Sequence, residues 1–496
     1  MLEYMKQEAN RTLTENGAAA FASTGSDCLD LFAAIGALRR ESEAEIISRF
    51  VHAYTENADI AMKLLFFARD IRGGLGERRV FRVIFNWLAA NEPGSVRKNI
   101  EYVAEYGRYD DLLAFLGTPC EPEMLSMLGK QFAEDMAALK AGRAVSLLGK
   151  WLPSVNASSA RAKAQGKQIA KALGLAETEY RKALTALRAQ IRIIENNLRM
   201  KDYSFDYAKQ PSKALFKYRQ AFIRNDWERY NAFLDTAIAG KTPLHADYVA
   251  PYELVAPCLS GNQYANDGSF MKKITSSEKE VLNATWNALP DFGGQENALA
   301  VIDTSGSMYC YGKPIPAAVA LSLGLYFAER NTGLFKNHFI EFSARPQLIA
   351  VKGDTFADRL RYIASFNEIA NTDLEAVFDL ILRAAVKNQV PQAELPAKLI
   401  IISDMEFDAC VDNAQVAVFQ RARERYEACG YQLPRIIFWN VASRHRQQPV
   451  TQNEQGVALV SGVTPRLFSM VAGEILSPYA FMMEVLGSER YANIAA

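Results

Sequence analysis

The sequence is poor in cysteine and histidine and has no excess of charge of either sign. Its six cysteines include no Cys-x-x-Cys pair, which argues against a zinc ribbon and against a disulfide framework. Its four histidines are too few and too dispersed for a metal triad or a general-base network. Basic and acidic residues number 56 each, so the molecule as a whole carries no field that attracts nucleic acid or an anionic membrane. Any such surface must be local.

Long apolar runs are also missing. The longest run extends from Ile315 to Ala328, which is shorter than the roughly 20 residues that span a bilayer, and indicates a buried helix. The first residues, MLEYMKQEANRTL, include early acids and no apolar core, so they are not typical of a secretory signal. We therefore expect reduced thiols, no membrane partner and a cytoplasmic location.

The length and composition predict more than one domain. Hydrophobic residues make up 49% and charged residues 23% of the 496 positions, which is typical of a folded globular protein. Single hydrophobic cores stop growing near roughly 250–300 residues, so two domains are expected. Pro243, Pro251, Pro257 and nearby glycines predict a long connection between them.

Residues 1–285 are predicted to form a helical repeat domain. Apolar residues recur with a period of 3.6 from about Cys28 to Leu234, as in Ile46, Phe50 and Tyr54. Helices joined by short turns must stack on their neighbours, as in HEAT or armadillo arrays. The sequence shows no clean fixed period, so an irregular helical domain without a superhelix stays open. The predicted helices include Ile60 to Asp70, Arg78 to Ala90 and Val96 to Tyr106.

Residues 286–475 are predicted to form a doubly wound, Rossmann-like α/β domain, and residues 476–496 a helical tail that packs back on the helical domain. Strands and amphipathic helices alternate there, which favours a mainly parallel sheet covered on both faces. The predicted strands are Ala298 to Ile302, His338 to Phe342, Lys398 to Ile402 and Arg435 to Val441. The predicted helices are Ile315 to Glu329, Asp373 to Lys387 and Asn413 to Cys429.

Three loops of this α/β domain carry oxygen donors. Asp303, Ser305 and Ser307 follow one predicted strand, Asp404 follows another, and Thr372 stands before a helix as a plausible N-cap. The carboxyl ends of parallel strands meet at one edge of a sheet, where ligands bind. Carboxylates and hydroxyls suit Mg²⁺ (or Mn²⁺ or Ca²⁺) and do not suit zinc. The alternative is that these residues cap helices and shape turns without a metal.

The motifs DTSGS, NTD and ISD, in this order, resemble the metal-ion-dependent adhesion site of von Willebrand factor A domains. The resemblance covers about residues 290–475. It implies that Asp303, Ser305, Ser307 and Thr372 ligate the metal. Asp404 is then expected to lie next to these ligands without touching the ion. It also implies that an oxygen donor from a partner, such as a carboxylate, completes the coordination shell.

The helical part resembles the Ro autoantigen (TROVE) family in two short stretches. These are IRGGLGER, which begins at Ile71, and GRYDDLL, which begins at Gly107. In that family a closed helical ring binds small structured RNAs. The resemblance therefore implies an RNA partner, either small and structured or single-stranded, and no DNA partner.

Basic residues are concentrated in one part of the helical region. Residues 141–230 contain 18 Lys and Arg against 7 Asp and Glu, interleaved with Trp151, Tyr180, Tyr218 and Trp227 as possible stacking platforms. A solvated helix face is the alternative. The candidate RNA-binding residues are Arg72, Arg78, Arg108, Lys150, Arg161, Lys163, Lys167, Lys171, Arg181 and Arg188.

No set of residues indicates catalysis. The sequence has no Gly-x-Ser-x-Gly elbow beside a histidine, and Asp303 has no second catalytic acid and lysine placed with it. The leading hypothesis is a non-enzymatic, Ro-like RNA-binding protein with a divalent-metal site. The competing hypothesis is a metal-dependent protein interaction scaffold that binds no RNA.

Overall fold

The fold is described here from a computed structural model, which places residues 1–259, 271–292, 297–310, 314–343, 345–366, 373–407, 418–470 and 477–496. It is an α plus α/β fold, in which helices come first and a mostly parallel sheet follows. Among these residues, no helix has both the length and the apolar composition to cross a membrane.

Helices dominate the chain up to Asn287. The α-helices of this helical region are α1 (Leu2–Ala9), α2 (Asp27–Ala34), α3 (Glu43–Glu56), α4 (Ala58–Arg69), α5 (Arg79–Asn91), α6 (Pro93–Asn99), α7 (Val103–Tyr106), α8 (Glu121–Lys140), α9 (Leu148–Trp151), α10 (Ala160–Ala172), α11 (Glu177–Ile191), α12 (Ile194–Arg199), α13 (Ser212–Asn225), α14 (Trp227–Ile238), α15 (Pro251–Val255) and α16 (Ser276–Asn287). Short 3₁₀ turns connect them at Ile35–Ala37, Ile100–Tyr102, Tyr109–Phe115, Tyr207–Lys209 and Ala256–Cys258.

Helix α3 shows why these segments are helical. The Ser42 hydroxyl accepts a hydrogen bond of 3.1 Å from the backbone N–H of Glu45, which caps the first turn. Ile46, Phe50 and Ala53 recur at helical spacing and are fully buried against α2, α4 and α5. Burial of a large apolar side chain contributes roughly 1.5–3 kcal/mol, so packing of this face stabilises the helix.

The sheet region contains strands β3 to β8 and helices α17 to α23. The strands are β3 (Ala298–Asp303), β4 (His338–Phe342), β5 (Gln347–Ala350), β6 (Lys398–Ser403), β7 (Arg435–Asn440) and β8 (Val457–Ser461). The helices are α17 (Gly306–Cys310), α18 (Pro316–Arg330), α19 (Phe356–Ala364), α20 (Leu374–Asn388), α21 (Val418–Ala428), α22 (Arg466–Met470) and α23 (Pro478–Leu486), with 3₁₀ turns at Gln392–Glu394 and Glu489–Tyr491.

Within the described residues the main sheet has six strands in the order β5-β4-β3-β6-β7-β8. All neighbouring pairs are parallel except β4 and β5, which are antiparallel. Alternate residues of β3 point to opposite faces of the sheet: Ile302 packs in the cluster that includes α18, and Val301 packs in the cluster that includes α20. Both faces are therefore covered, and β3 and β6 lie in the middle of the sheet.

Four strands of this sheet begin at their predicted residues, but the helix predicted from Val96 to Tyr106 is interrupted. It splits into α6, a 3₁₀ turn and α7. At the break the Asn99 side chain donates to the carbonyl oxygens of Ser95 and Ala495, so tertiary contacts fix the backbone there. The predicted array of HEAT-type repeats and the domain boundaries at residues 285 and 475 stay predictions.

Segments from both ends of the chain cross between the two regions. Near the N-terminus, β1 (Arg11–Leu13) and β2 (Ala19–Phe21) form a hairpin that lies beside the sheet region, where Phe21 pairs with Gln448. After the sheet, α23 packs on α2 and α4, and the Tyr491 hydroxyl donates to the buried carboxylate of Asp70. The helical and sheet regions are thus joined by contacts at several positions.

Candidate metal site at the carboxyl edge of the sheet

The two predicted acids lie at the ends of neighbouring strands. Asp303 is the last residue of β3, and Asp404 directly follows β6, which pairs with β3 in parallel. Both side chains are buried, with 1% and 3% of the residue exposed. The parallel register brings the two carboxylates to the same edge, as the sequence indicated.

Hydrogen bonds fix the Asp303 carboxylate from two sides. One oxygen accepts from the backbone N–H of Ser305 at 2.9 Å, and the other accepts from the Ser403 hydroxyl at 2.5 Å. The hydroxyls of Ser305 and Ser307 lie 3.1 Å apart. The loop after β3 therefore holds the buried Asp303 carboxylate through its own backbone and keeps two hydroxyl groups close together.

The Asp404 carboxylate has a different set of partners. One oxygen accepts a hydrogen bond of 3.0 Å from the Arg444 guanidinium, and the other accepts a bond of 3.3 Å from the backbone N–H of Glu406. Met405, between these acids, adopts a left-handed backbone with φ of +68°, which turns the chain sharply after β6. Arg444 was not predicted, because it follows β7 and no local motif marks it.

The electrostatics of the pair favour the presence of a cation. Burial, and then the charge of Asp404, raise the pKa of Asp303, while hydrogen bonds from Ser403 and Ser305 act in the opposite direction. Burial also raises the pKa of Asp404, against the effects of Arg444 and of a hydrogen bond from Ser307. Buried like charges destabilise each other, and a bound cation reverses that effect.

The donor set fits a hard divalent cation as far as the structure describes it. Asp303, Ser305 and Ser307 supply carboxylate and hydroxyl oxygens, which suit Mg²⁺, Mn²⁺ or Ca²⁺. The third predicted loop donor, Thr372, lies outside the described residues. The N-cap of α20 is Asp373 and not Thr372, because the Asp373 carboxylate accepts the backbone N–H of Ala376 at 2.9 Å.

A second acidic group lies close to Asp404 and was not predicted. One ligand atom each from Glu15, Glu406 and His445 lies within 4.8 Å of the others, a grouping that could hold a metal ion. The Glu406 carboxylate already accepts from the backbone N–H of Glu15, from Gln447 and from the His445 ring. Glu15 and His445 are too far apart in the sequence for any local pattern to connect them.

The basic residues of α10 and α11 are mostly exposed. Lys163, Lys167 and Lys171 follow each other at intervals of four, which places them on one side of α10. Lys167 pairs with Glu177 at 2.8 Å, across to the start of α11. Arg161 and Arg181 are also exposed.

The RNA hypothesis requires side chains that are free to contact RNA, but Arg188 and Tyr180 make contacts inside the protein. The Arg188 guanidinium donates to the carbonyl oxygens of Gly149 and Leu152 and to the Ser154 hydroxyl, so it holds the α9 turn. Tyr180 is fully buried, and its hydroxyl donates to a carbonyl oxygen at 3.0 Å. Arg188 therefore stabilises the α9 turn, and Tyr180 belongs to the buried core.

The remaining candidates lie around the GRYDDLL stretch. The guanidinium of Arg108 stacks 4.4 Å from the centre of the Trp151 ring, and the Lys150 amine lies 5.5 Å from the same ring. Arg78 pairs with Asp110. Arg72 is exposed and donates to the carbonyl oxygen of Glu105 at 2.7 Å.

Fold and site together define an α plus α/β protein with two buried carboxylates at the carboxyl edge of its sheet. The family model described as "Domain of unknown function (DUF7788)" matches residues 297–476, which hold that edge. The model described as "Domain of unknown function (DUF2828)" matches residues 14–121 and 122–291, more than half of the chain. The chain belongs to the DUF2828 family.

Two further proteins are similar over most of their length. "Uncharacterized protein L728" of Acanthamoeba polyphaga mimivirus is 28% identical over 520 residues, covering 96% of this chain and 87% of that protein. The crystal structure of the Deinococcus radiodurans RO (RSR) protein matches with a TM-score of 0.48 and 13% identity, covering 93% of this chain and 100% of that one. None of these descriptions states a ligand or an activity.

Proposed function

We propose that the sheet region is a von Willebrand factor A-type domain that binds one divalent cation and, through it, an oxygen donor of a partner. Asp303, Ser305, Ser307 and Thr372 would hold the cation, and Asp404 would stand behind them. The observation that carries the proposal is the burial of Asp303 and Asp404 together at one edge of the sheet.

The charge balance supports a cation at this place. Two carboxylates taken out of water are costly unless opposite charge compensates them, and Arg444 supplies a single positive charge from the Asp404 side. A divalent ion on the Asp303 side would complete the compensation. Mg²⁺ is the expected occupant, and Mn²⁺ or Ca²⁺ could replace it.

We further propose that the site binds and does not catalyse. The hydroxyl of Ser305 lies against that of Ser307, and Ser307 bonds to Asp404. Hydroxyls arranged in this way suit coordination of an ion, whereas a nucleophilic serine needs a base such as histidine within hydrogen-bond reach.

Calorimetric titration with MgCl₂ and with MnCl₂ tests the proposal. The wild-type chain should bind one ion, and Asp303→Ala should abolish binding while the chain stays folded. Asp354→Asn removes an exposed carboxylate elsewhere in the sheet region and should leave the affinity unchanged. Equal affinity of wild type and Asp303→Ala would refute the assignment.

A second candidate function is RNA binding by the helical region, in a Ro-like array of helices in the cytoplasm. The observation in its favour is the exposed basic face, defined as Arg161, Lys163, Lys167, Lys171 and Arg181 on α10 and α11. Trp151, with Arg108 against it, would offer a platform for a base.

Filter binding of a small structured RNA and of a single-stranded RNA, each at two salt concentrations, tests this function. Binding should weaken as salt rises, because phosphate contacts release counterions. The triple variant Arg161→Ala, Lys163→Ala, Lys171→Ala should bind less tightly and with a smaller salt slope. The control triple, Lys273→Ala, Lys336→Ala, Lys387→Ala, removes exposed lysines outside residues 141–230. If no RNA binds while the cation does, the competing hypothesis of a protein interaction scaffold is favoured.

A further inference from the structure

Arg444 is a fixed positive charge directly behind the candidate metal site. Its guanidinium lies 3.0 Å from the Asp404 carboxylate on one side and 3.0 Å from the Glu15 carboxylate on the other. Asp404 is buried, whereas the Glu15 side chain is half exposed at 51%. The order Glu15, Arg444, Asp404 is therefore a line of alternating charges that runs from the surface to the site.

Glu15 belongs to a segment that docks on the loop after β6. We call residues 14–21 the N-terminal strap. The Thr14 hydroxyl donates to the carbonyl oxygen of Phe407 at 2.5 Å, and the Asn16 amide donates to that of Glu406 at 2.7 Å. The Glu15 backbone N–H donates to the Glu406 carboxylate at 2.8 Å. These bonds hold the Glu15 carboxylate close to Arg444.

The loop that carries Arg444 is itself anchored to the helical region. The Arg49 guanidinium, on α3, donates to the Ser443 hydroxyl at 3.0 Å and to the carbonyl oxygen of His445 at 3.1 Å. Arg446 pairs with Glu45 of the same helix at 2.7 Å. The residues on both sides of Arg444 are thus tied down, which keeps its charge near Asp404.

We propose that Arg444 lowers the cation affinity of the site and that Glu15, by partly neutralising Arg444, restores some of it. This inference rests on the proposed cation-binding function. A guanidinium stays protonated at all ordinary pH values, so its repulsion of a divalent ion a few ångströms beyond Asp404 is permanent. Docking of the strap would then set the affinity, and the contacts of α3 with the loop of Arg444 would let the helical region influence the metal site.

A set of four variants tests this with Mg²⁺ titrations. Arg444→Gln should bind Mg²⁺ roughly tenfold more tightly, because a repelling charge is removed from a site of low dielectric. Arg444→Lys keeps the charge and should bind like wild type. Glu15→Gln should bind about three- to tenfold more weakly, because Arg444 loses its neutralising partner. The double variant Arg444→Gln, Glu15→Gln should show about the sum of the two opposite shifts, because the fields of the two charges superpose.

The controls separate this inference from the function on which it rests. Arg423→Gln removes a cation paired with Glu454 at 2.8 Å, elsewhere in the sheet region, and should not change the affinity. If wild type binds no Mg²⁺, the proposed function itself fails. If wild type binds but Arg444→Gln binds equally or more weakly, Arg444 is only a structural tether and the inference is overturned. Should Arg444→Gln not fold, unchanged affinity of Glu15→Gln overturns it as well.

Discussion

The Ser403 hydroxyl donates a hydrogen bond of 2.5 Å to the Asp303 carboxylate. The two residues end the neighbouring parallel strands β6 and β3, and the Ser403 hydroxyl also accepts the backbone N–H of Met405 at 3.0 Å. One hydroxyl therefore fixes both the orientation of Asp303 and the turn that leads to Asp404.

Ser403→Ala should weaken cation binding without abolishing it. Loss of a group that orients a metal ligand typically reduces affinity about 10–100-fold. Titration with MnCl₂ measures the effect. Ser365→Ala, whose hydroxyl donates to the carbonyl oxygen of Tyr362 at its own helix end, is the matched control. An affinity equal to that of wild type would mean that Asp303 needs no orientation by Ser403.

Glu45 should give the contact between α3 and the loop of Arg444 a pH dependence. Hydrogen bonds from Arg446 and then Arg49 lower its pKa from 4.5 to about 2. A carboxylate with a lowered pKa stabilises the fold above its unfolded pKa and loses that effect as pH falls toward the folded value. The stabilisation is at most about 1 kcal/mol, because the ion pairs are partly exposed.

Urea unfolding of wild type and Glu45→Gln checks this prediction. The difference in midpoint should be largest near neutral pH and should shrink as pH falls below about 4. Glu43→Gln, at an exposed position of the same helix, is the control. A difference that stays constant over this range would contradict the assignment of the pH effect to the ion pairs.

Gly36→Ala should destabilise the contact between the helical region and β8. A Cβ at Gly36 would lie 2.4 Å from the backbone carbonyl oxygen of Ser461, which is far too close. Overpacking of this kind typically lowers the free energy of unfolding by about 1–3 kcal/mol. Thermal unfolding should show a lower Tm, whereas Gly94→Ala, with open space around the new Cβ, should behave like wild type.

Arg490→Ala should strongly loosen the C-terminal segment. Its guanidinium donates to both oxygens of the fully buried Asp70, at 2.7 and 3.0 Å. Removal of Arg490 leaves the buried Asp70 carboxylate without its charged partner and costs about 1–3 kcal/mol, less than for a fully buried pair because the Arg490 side chain is 30% exposed. Hydrogen exchange of α23 and α4 should accelerate in the variant. The double variant with Asp70→Asn should regain part of the stability, and no recovery would argue against the charge as the cause.

The sequence predicted the central strands well because they are continuous apolar runs. Residues of β3 and β6 are buried on both faces of the sheet, which is the pattern that a covered parallel strand requires. The antiparallel edge strand β5 was not predicted, since it has four residues and two of them are exposed. The strand β8 was missed as well, although its residues are all buried.

The candidate site, like the sheet, could be predicted only in part from the sequence. Asp303 and Asp404 could be predicted, because each follows a recognisable strand and parallel strands share an edge. Arg444 and Glu15 could not, because their closeness depends on how a loop after β7 and the N-terminal strap dock on the loop after β6. Tyr180 was wrongly predicted to be a stacking platform for RNA. One side of the charged helix α11 packs in the core, and Tyr180 lies on that side.

The N-terminal strap has a consequence for biosynthesis. Thr14 is made early, but its partner, the carbonyl group of Phe407, follows 393 positions later along the chain. The strap must therefore wait until the loop after β6 has been synthesised before it can bind. Contacts of such long range form slowly, so closure of the strap should be among the last steps of folding.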